Sequence, residues 1–174
     1  MKKSSILFIA LVAAFACYAL CFRQEAPTSA PTDTTAPEIA LASPKGKVLK
    51  LSSLRGKMVL VDFWASWCGP CRKESPNVVE AYQKYHQKVF KDAKGFEVFS
   101  VSLDRDAEAW KQAILADKLV WKNHVLDVQG LAAANYQVAT IPNAFLLDGN
   151  GVIVASGAQL RGLNLHITLD KFLK

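Results

Sequence analysis

Histidine and cysteine are both scarce in this chain, with three His and four Cys among 174 residues. His86, His124 and His166 stand singly, and nothing in the folded part supplies a second C-x-x-C beside Cys68 and Cys71. A structural zinc site needs about four ligands, so this supply argues against a metal centre. Charge of one sign is never massed along the sequence either. The formal net charge is +6, but Lys and Arg are scattered without a block or stripe, which argues against a nucleic-acid partner. Loss of a leader carrying Lys2 and Lys3 weakens the argument from basicity further. Internal repeats are absent, and the length leaves room for one ordinary domain plus an appendage, not for two large domains. With 51% hydrophobic and 21% charged residues, the chain has the composition of a packed globular protein.

An uncharged apolar run, Ile6 to Phe22, follows Lys2 and Lys3 and is closed by Arg23 and Glu25. This is the pattern of an export signal or a membrane anchor. At about 17 residues it lies between a signal-peptide core and a minimal membrane span, so length does not decide between cleavage and retention. Ala14, Phe15 and Ala16 form an A-x-A pattern directly before Cys17. A Cys at such a cut resembles the lipidation site of bacterial lipoproteins, with Ala14 standing where that site usually has Leu. Three outcomes stay open: lipidation at Cys17, an uncleaved helix, and a released soluble protein. Each puts the domain outside the cytoplasm, on the periplasmic side of a bacterial membrane. Cys21, preceded by the bulky Leu20, reads as a small apolar residue of the leader. Residues 24–37 turn to Pro, Thr, Ala and Ser without apolar periodicity, the composition of a flexible linker. The expected division is therefore 1–23 signal peptide or anchor, 24–37 linker and 38–174 folded domain.

In the folded part, Ile39 and Leu41 alternate, Pro44 to Gly46 turns the chain, and Val48 to Leu51 returns as the second strand of a small hairpin. Met58 to Trp64 is apolar on both faces apart from Asp62, as a buried parallel strand should be. A helix is expected from about Cys71 to Phe90, a strand over Phe96 to Ser102, and a helix capped by Asp104 or Asp106 and running through Lys118. Val125 and Leu126 form a short strand and Leu131 to Tyr136 a short helix. Asn143 to Leu147 and Val152 to Ala155 form a hairpin around the D-G-N-G turn of Asp148 to Gly151. Asn164 to Leu173 closes the chain as an amphipathic helix with Leu165, Leu169 and Phe172 on one face. Helices interleaved with parallel strands and a terminal antiparallel hairpin predict an α/β domain with a mixed central sheet.

Cys68, Gly69, Pro70 and Cys71 fall where a buried strand gives way to a helix. The unpaired amides and dipole of the helix start stabilise a thiolate at Cys68, lowering its pKa from about 8.5 toward neutrality. Cys71, one turn later, is placed to attack the resulting mixed disulfide. Pro70 is tolerated because the first helical turn needs no amide donor, and Gly69 leaves the approach to sulfur open. A purely structural bridge closing so small a loop would add little stability by chain entropy. The pattern therefore favours redox chemistry.

Val61 to Cys71, read as V-D-F-W-A-S-W-C-G-P-C, resembles the active-site segment of thioredoxins. Pro76 matches the proline of their active-site helix, and Ile141-Pro142 matches their cis-proline loop. The leader, the early hairpin and the helix with Asp104, Arg105, Asp106, Glu108 and Trp110 resemble the membrane-tethered TlpA/ResA-like branch. The likeness covers about Glu38 to Lys174 and implies a thioredoxin-like fold with an extra N-terminal hairpin and a helical insertion. It also implies a cis bond at Pro142, where the alternative is an ordinary trans turn, and a role for Thr140, Ile141 and Pro142 in holding an extended substrate segment. Trp67 would be a flat docking rim beside Gly69 and Pro70, while Trp64, Trp110 and Trp121 suit the core. Asp62 corresponds to the buried Asp of thioredoxins and would relay the Cys71 proton. The alternative is an Asp satisfied by local hydrogen bonds. Glu74 falls where the branch has an acidic residue used in proton handling, and equally reads as a solvated charge beside Arg72 and Lys73.

The implied function is thiol:disulfide exchange outside the cytoplasm, without cofactor or metal, by a monomer tethered to the membrane. Its electrons would come from a membrane thiol donor, and its substrates would be exported proteins with disulfides or thiols, apocytochrome c among them. Run backward, the same chemistry gives an oxidase or isomerase. A peroxide-reducing antioxidant would need Pro at Val61 and Thr at Ala65 in the pattern P-x-x-x-T-x-x-C, and a tethered binding module would need no turnover at all.

Overall fold

A strand with no polar face needs cover on both sides, and the chain arranges itself to provide it. The structure, a computed structural model, describes residues 33–174, so the apolar leader, Cys17 and residues 24–32 lie outside it. A hairpin of β1 (Ala40–Ala42) and β2 (Val48–Lys50) leads through a 3-10 turn at Leu51–Leu54 to β3 (Met58–Trp64). Then follow α1 (Gly69–Tyr85), β4 (Phe96–Ser102), α2 (Ala107–Ala116), β5 (Asn123–Leu126), α3 (Leu131–Asn135), β6 (Asn143–Leu147), β7 (Ile153–Ser156) and α4 (Leu163–Phe172).

The main sheet has the order β5-β4-β3-β6-β7, with β3 at its centre. β3 runs parallel to β4, from Met58 opposite Phe96 to Trp64 opposite Ser102, and antiparallel to β6, with Phe63 opposite Asn143. One face of the sheet, with Met58, Leu60, Trp64 and Val98, packs on residues of α1, α2 and α4. The other, with Val59, Val61, Phe63 and Phe99, packs on Ala132, Ala133, Tyr136, Ile39 and Leu51. This is the mixed α/β, thioredoxin-like architecture expected, with the extra hairpin in place.

Several boundaries differ from the expected ones for identifiable reasons. α1 ends at Tyr85 and not at Phe90 because the chain then folds back. Phe90 N donates to Ala93 O, Gly95 N donates to Lys88 O, and Phe90 is buried against the chain's end, pairing with Leu173. α2 stops at Ala116, since Lys118 takes a left-handed φ of 51°. Its cap is Asp106, whose Oδ1 accepts from Glu108 N and Ala109 N, while Asp104 is used elsewhere. The last part of the expected linker is bound to the sheet: Asp33 N donates to Ile153 O and Ala36 N to Gly151 O. β7 is an edge strand whose free backbone groups this segment satisfies. Composition reports on side chains, and this contact is made by backbone.

The turn between β6 and β7 is held by Asp148, whose Oδ1 accepts from Asn150 N and Val152 N. Gly149 in that turn lies so close to the 86–95 segment that a Cβ there would collide with the backbone oxygen of Asp92. Gly149→Ala is therefore expected to lower the unfolding free energy by roughly 1–3 kcal/mol, read as a lower urea midpoint at unchanged slope.

Candidate active site

The C-terminal end of β3 delivers Cys68 to the start of α1. Cys68 is the residue before the helix, in extended conformation at φ −83° and ψ 96°, and Gly69 and Pro70 fill the first helical positions. Cys71 lies in the first turn, and the two sulfurs form a disulfide with the Cα atoms 5.3 Å apart. Cys71 N donates to Cys68 Sγ at 3.2 Å. The sulfur thus occupies the place of a capping oxygen, where helix amides and dipole favour negative charge. Both cysteines are nearly buried, whereas Trp67 is 67% exposed and forms a flat rim beside them. Gly69 and Pro70 are exposed next to that rim. Trp64, Trp110 and Trp121 are buried in the core.

The peptide bond between Ile141 and Pro142 is cis, so the ordinary trans turn is not what the chain adopts. Pro142 immediately precedes β6, whose Asn143 lies opposite Phe63 at the end of β3, so the proline loop sits at the sheet end that carries Cys68. Ile141 packs against the core cluster that includes Cys68 and Cys71, and Thr140 is exposed.

Asp62 lies on the face of β3 shared by Leu60 and Trp64, the face that packs with both cysteines. Although part of the residue reaches the surface, the protein around its carboxyl pushes the pKa up to about 7, first by burial and second by repulsion from Glu74. Among the described residues no group donates a hydrogen bond that opposes this rise, the contact the alternative reading would require. Glu74 is not a loosely solvated charge either. It is half-buried, and its Oε1 accepts from Gly162 N at 2.6 Å.

Two supports are contacts that the sequence reading does not assign. Asp104, 1% exposed, fixes the approach to Cys68: its Oδ2 accepts from Ser66 N at 2.9 Å and its Oδ1 from Ser66 Oγ at 2.6 Å, while Ser102 Oγ donates to Oδ2. Arg161 Nη2 donates to Pro142 O, and the next amide, Gly162 N, holds Glu74. One loop therefore braces both α1 and the proline turn. Only the Asp104 contact had a signal, an Asp at the end of an apolar strand. The Arg161 contact had none. Among the described residues no group of three His, Cys, Asp or Glu stands together as a metal site.

The elevated Asp62 pKa has a signed consequence for stability. The folded protein keeps the Asp62 proton up to about pH 7 while the unfolded chain gives it up near 4. Stability contributed by the neutral form is complete below about pH 4 and is lost as pH rises through 7. Asp62→Asn should therefore make the oxidised protein more stable than wild type at pH 8 by roughly 2–4 kcal/mol, with no difference at pH 4, by urea unfolding. An equal difference at both pH values would show that Asp62 does not titrate in this range.

Comparison with known proteins agrees with this geometry. Residues 32–156 match the AhpC/TSA family. A thiol-disulfide oxidoreductase ResA of Bacillus anthracis is 31% identical over 139 residues, spanning 80% of this chain and 75% of the relative. One from Bacillus thuringiensis subsp. konkukian is 28% identical over 182 residues, spanning 100% and 98%. Among solved structures, the thioredoxin domain of a thiol-disulfide oxidoreductase from Bacteroides vulgatus is 37% identical, with a TM-score of 0.74 over 83% of this chain and 99% of that one. A thiol:disulfide interchange protein from Bacteroides sp. is 38% identical, also at 0.74, over 84% and 92%. The fold, the C-x-x-C disulfide at a helix start and these relatives together make the chain a member of the AhpC/TSA family and, within its thioredoxin-like part, a ResA-like thiol-disulfide oxidoreductase.

Proposed function

We propose that this oxidoreductase works outside the cytoplasm as a reductant of disulfides in exported proteins, with Cys68 as nucleophile and Cys71 as resolving thiol. The observation that carries this reading is the Cys71 amide on Cys68 Sγ at the start of α1, with the second sulfur already within bonding distance. In the reduced enzyme the Cys68 thiolate attacks one sulfur of the substrate disulfide, forming a mixed disulfide and releasing the other sulfur as a thiolate. Cys71 then loses its proton and attacks Cys68 Sγ. The second substrate thiolate leaves and the Cys68–Cys71 disulfide forms, so two electrons pass to the substrate. Asp62, with its pKa near 7, accepts the Cys71 proton through water, and Glu74 tunes that acceptor by its charge.

Trp67, Gly69 and Pro70 form one side of the substrate groove, and Thr140, Ile141 and Pro142 the other. Ile141 offers backbone groups to an extended substrate segment by strand addition. The protein acts as a monomer and uses no cofactor or metal. It is held by a lipid at Cys17 or by the N-terminal apolar run, and a membrane thiol donor returns the disulfide to the reduced state. The leader pattern supports the compartment. Apocytochrome c thiols are a substrate class consistent with the resemblance to the TlpA/ResA-like branch. The family name does not assign peroxide reduction here, because Val61 and Ala65 stand where that pattern needs Pro and Thr.

Two measurements test the assignment. Cys71→Ser should trap substrate as a disulfide with Cys68, visible as a reducible adduct on a non-reducing gel, whereas adding Cys68→Ala should abolish it. Direction is read from the equilibrium potential of the Cys68/Cys71 couple in a thiol buffer. A value near or below about −270 mV supports a reductant, while one near about −120 mV makes the enzyme an oxidant.

A further inference from the structure

The lysines that chain order scatters are collected by the fold at one end of the domain. That end is where β3 and β4 begin, where α1 and α4 finish and where the β6–β7 turn lies, opposite the end that carries Cys68. Lys88, Lys91 and Lys94 come from the segment after α1, which the backbone ties to the C-terminal residues: Lys91 N donates to Phe172 O and Lys174 N to Val89 O. Lys91 Nζ donates to Lys171 O, which brings Lys171 into the group. All five side chains are exposed, and none is in a salt bridge; the ion pairs among the described residues are Arg72–Asp117, Lys84–Asp170 and Lys111–Glu108. Val89, 49% exposed, lies in their midst. The acidic groups at this end are Asp92, Glu97, Asp148 and Asp170, fewer than the lysines; Glu97 is half-buried, and Asp170 is taken up by Lys84 and the Tyr85 hydroxyl.

We propose that this basic end is a docking face for an anionic phospholipid surface, and that docking holds Cys68 on the far side of the domain. The inference rests on the reading that residues 6–22 or a lipid at Cys17 anchor the chain. The first described residue, Asp33, is hydrogen-bonded to Ile153 O beside the same end. Residues 24–32, even fully extended, hold Asp33 no more than about 35 Å from Arg23. An anchored chain thus keeps its own lysines close to the bilayer, so a contact too weak to hold a free protein becomes intramolecular. Lysine stems can lie along the interface with their ammonium groups at the headgroups, around the apolar Val89.

The test uses the full chain in vesicles of phosphatidylcholine, alone or mixed with phosphatidylglycerol, each carrying a photoreactive lipid whose adducts are mapped by mass spectrometry. Label is expected on peptides spanning 84–94 and 171–174 in the phosphatidylglycerol vesicles and not on the segment around Trp67. It should fall roughly tenfold at high salt or when Lys88, Lys91, Lys94 and Lys174 are changed together to Gln. That variant should keep its disulfide-reducing rate on insulin in solution, which shows that it is folded. Equal label with and without phosphatidylglycerol, or label centred on the Cys68 end, would overturn the proposal. Flotation separates it from the anchor. Chain that floats with phosphatidylcholine at high salt is anchored. Chain that floats only with phosphatidylglycerol, salt-sensitively and not as the Gln variant, lacks the anchor but still supports the docking face. Chain that floats with neither lipid loses both.

Discussion

The burial of β3 on both faces and its pairing on both edges is the constraint from which the site follows. Six of its seven positions are buried, and each edge is occupied by another strand, so the strand has little freedom to slide or tilt. A one-residue slip would move every apolar side chain to the opposite face. Whatever stands at its C-terminal end is therefore fixed in space, and that is where the chain carries Trp67 and Cys68. β4 and β6 end or begin at the same level, which brings Asp104 and Pro142 to the same place from distant parts of the sequence. Asp104 then holds Ser66, and through it the two residues that follow. The rigidity of the redox site is thus inherited from the sheet, with one buried carboxylate making the last connection.

The same constraint explains the one charge that β3 tolerates. A carboxyl on a strand so enclosed loses its hydration, and no donor replaces the water, so the neutral form is favoured. Glu74 reinforces this because it is itself pinned to the Gly162 amide, which keeps its charge in place. A carboxyl whose only demand is stability would be better replaced by an apolar residue. Retaining an Asp with an acid strength near neutrality has a use where a thiol proton must be taken up and given back at ordinary pH. The cost in folding stability above neutral pH and the proton transfer proposed for Asp62 would be two consequences of one desolvation.

Much of this was legible in the sequence because it is written in local pattern. β3 and β4 have the expected ends, since Met58–Trp64 and Phe96–Ser102 are apolar runs bounded by Gly56 and Gly95. Cys68 and Cys71 are identified by spacing and by their place between strand and helix. What the sequence concealed is contact made at long range or by backbone. The end of α1 is set by the fold-back of Phe90 onto Leu173, and the seating of Asp33 to Ala36 depends on β7 having a free edge. Arg161 and Gly162 look like an ordinary basic residue and a turn glycine, and only the fold shows them touching Pro142 and Glu74.

Charge offers the sharpest contrast between chain and fold. Read along the sequence, Lys88, Lys91, Lys94, Lys171 and Lys174 are two separate groups, too sparse to count as a stripe. An α/β domain sends every helix that follows a parallel strand back to the end where that strand began. Basic residues just after such helices therefore accumulate at the end opposite the catalytic one, because functional residues gather at the strands' C-terminal ends. In this protein the two ends are separated by the seven residues of β3, about 20 Å at the rise of an extended strand. That distance exceeds the screening length at physiological salt, about 8 Å. The lysines consequently have little direct influence on the Cys68 thiolate, and attraction at one end can orient the domain without perturbing the chemistry at the other.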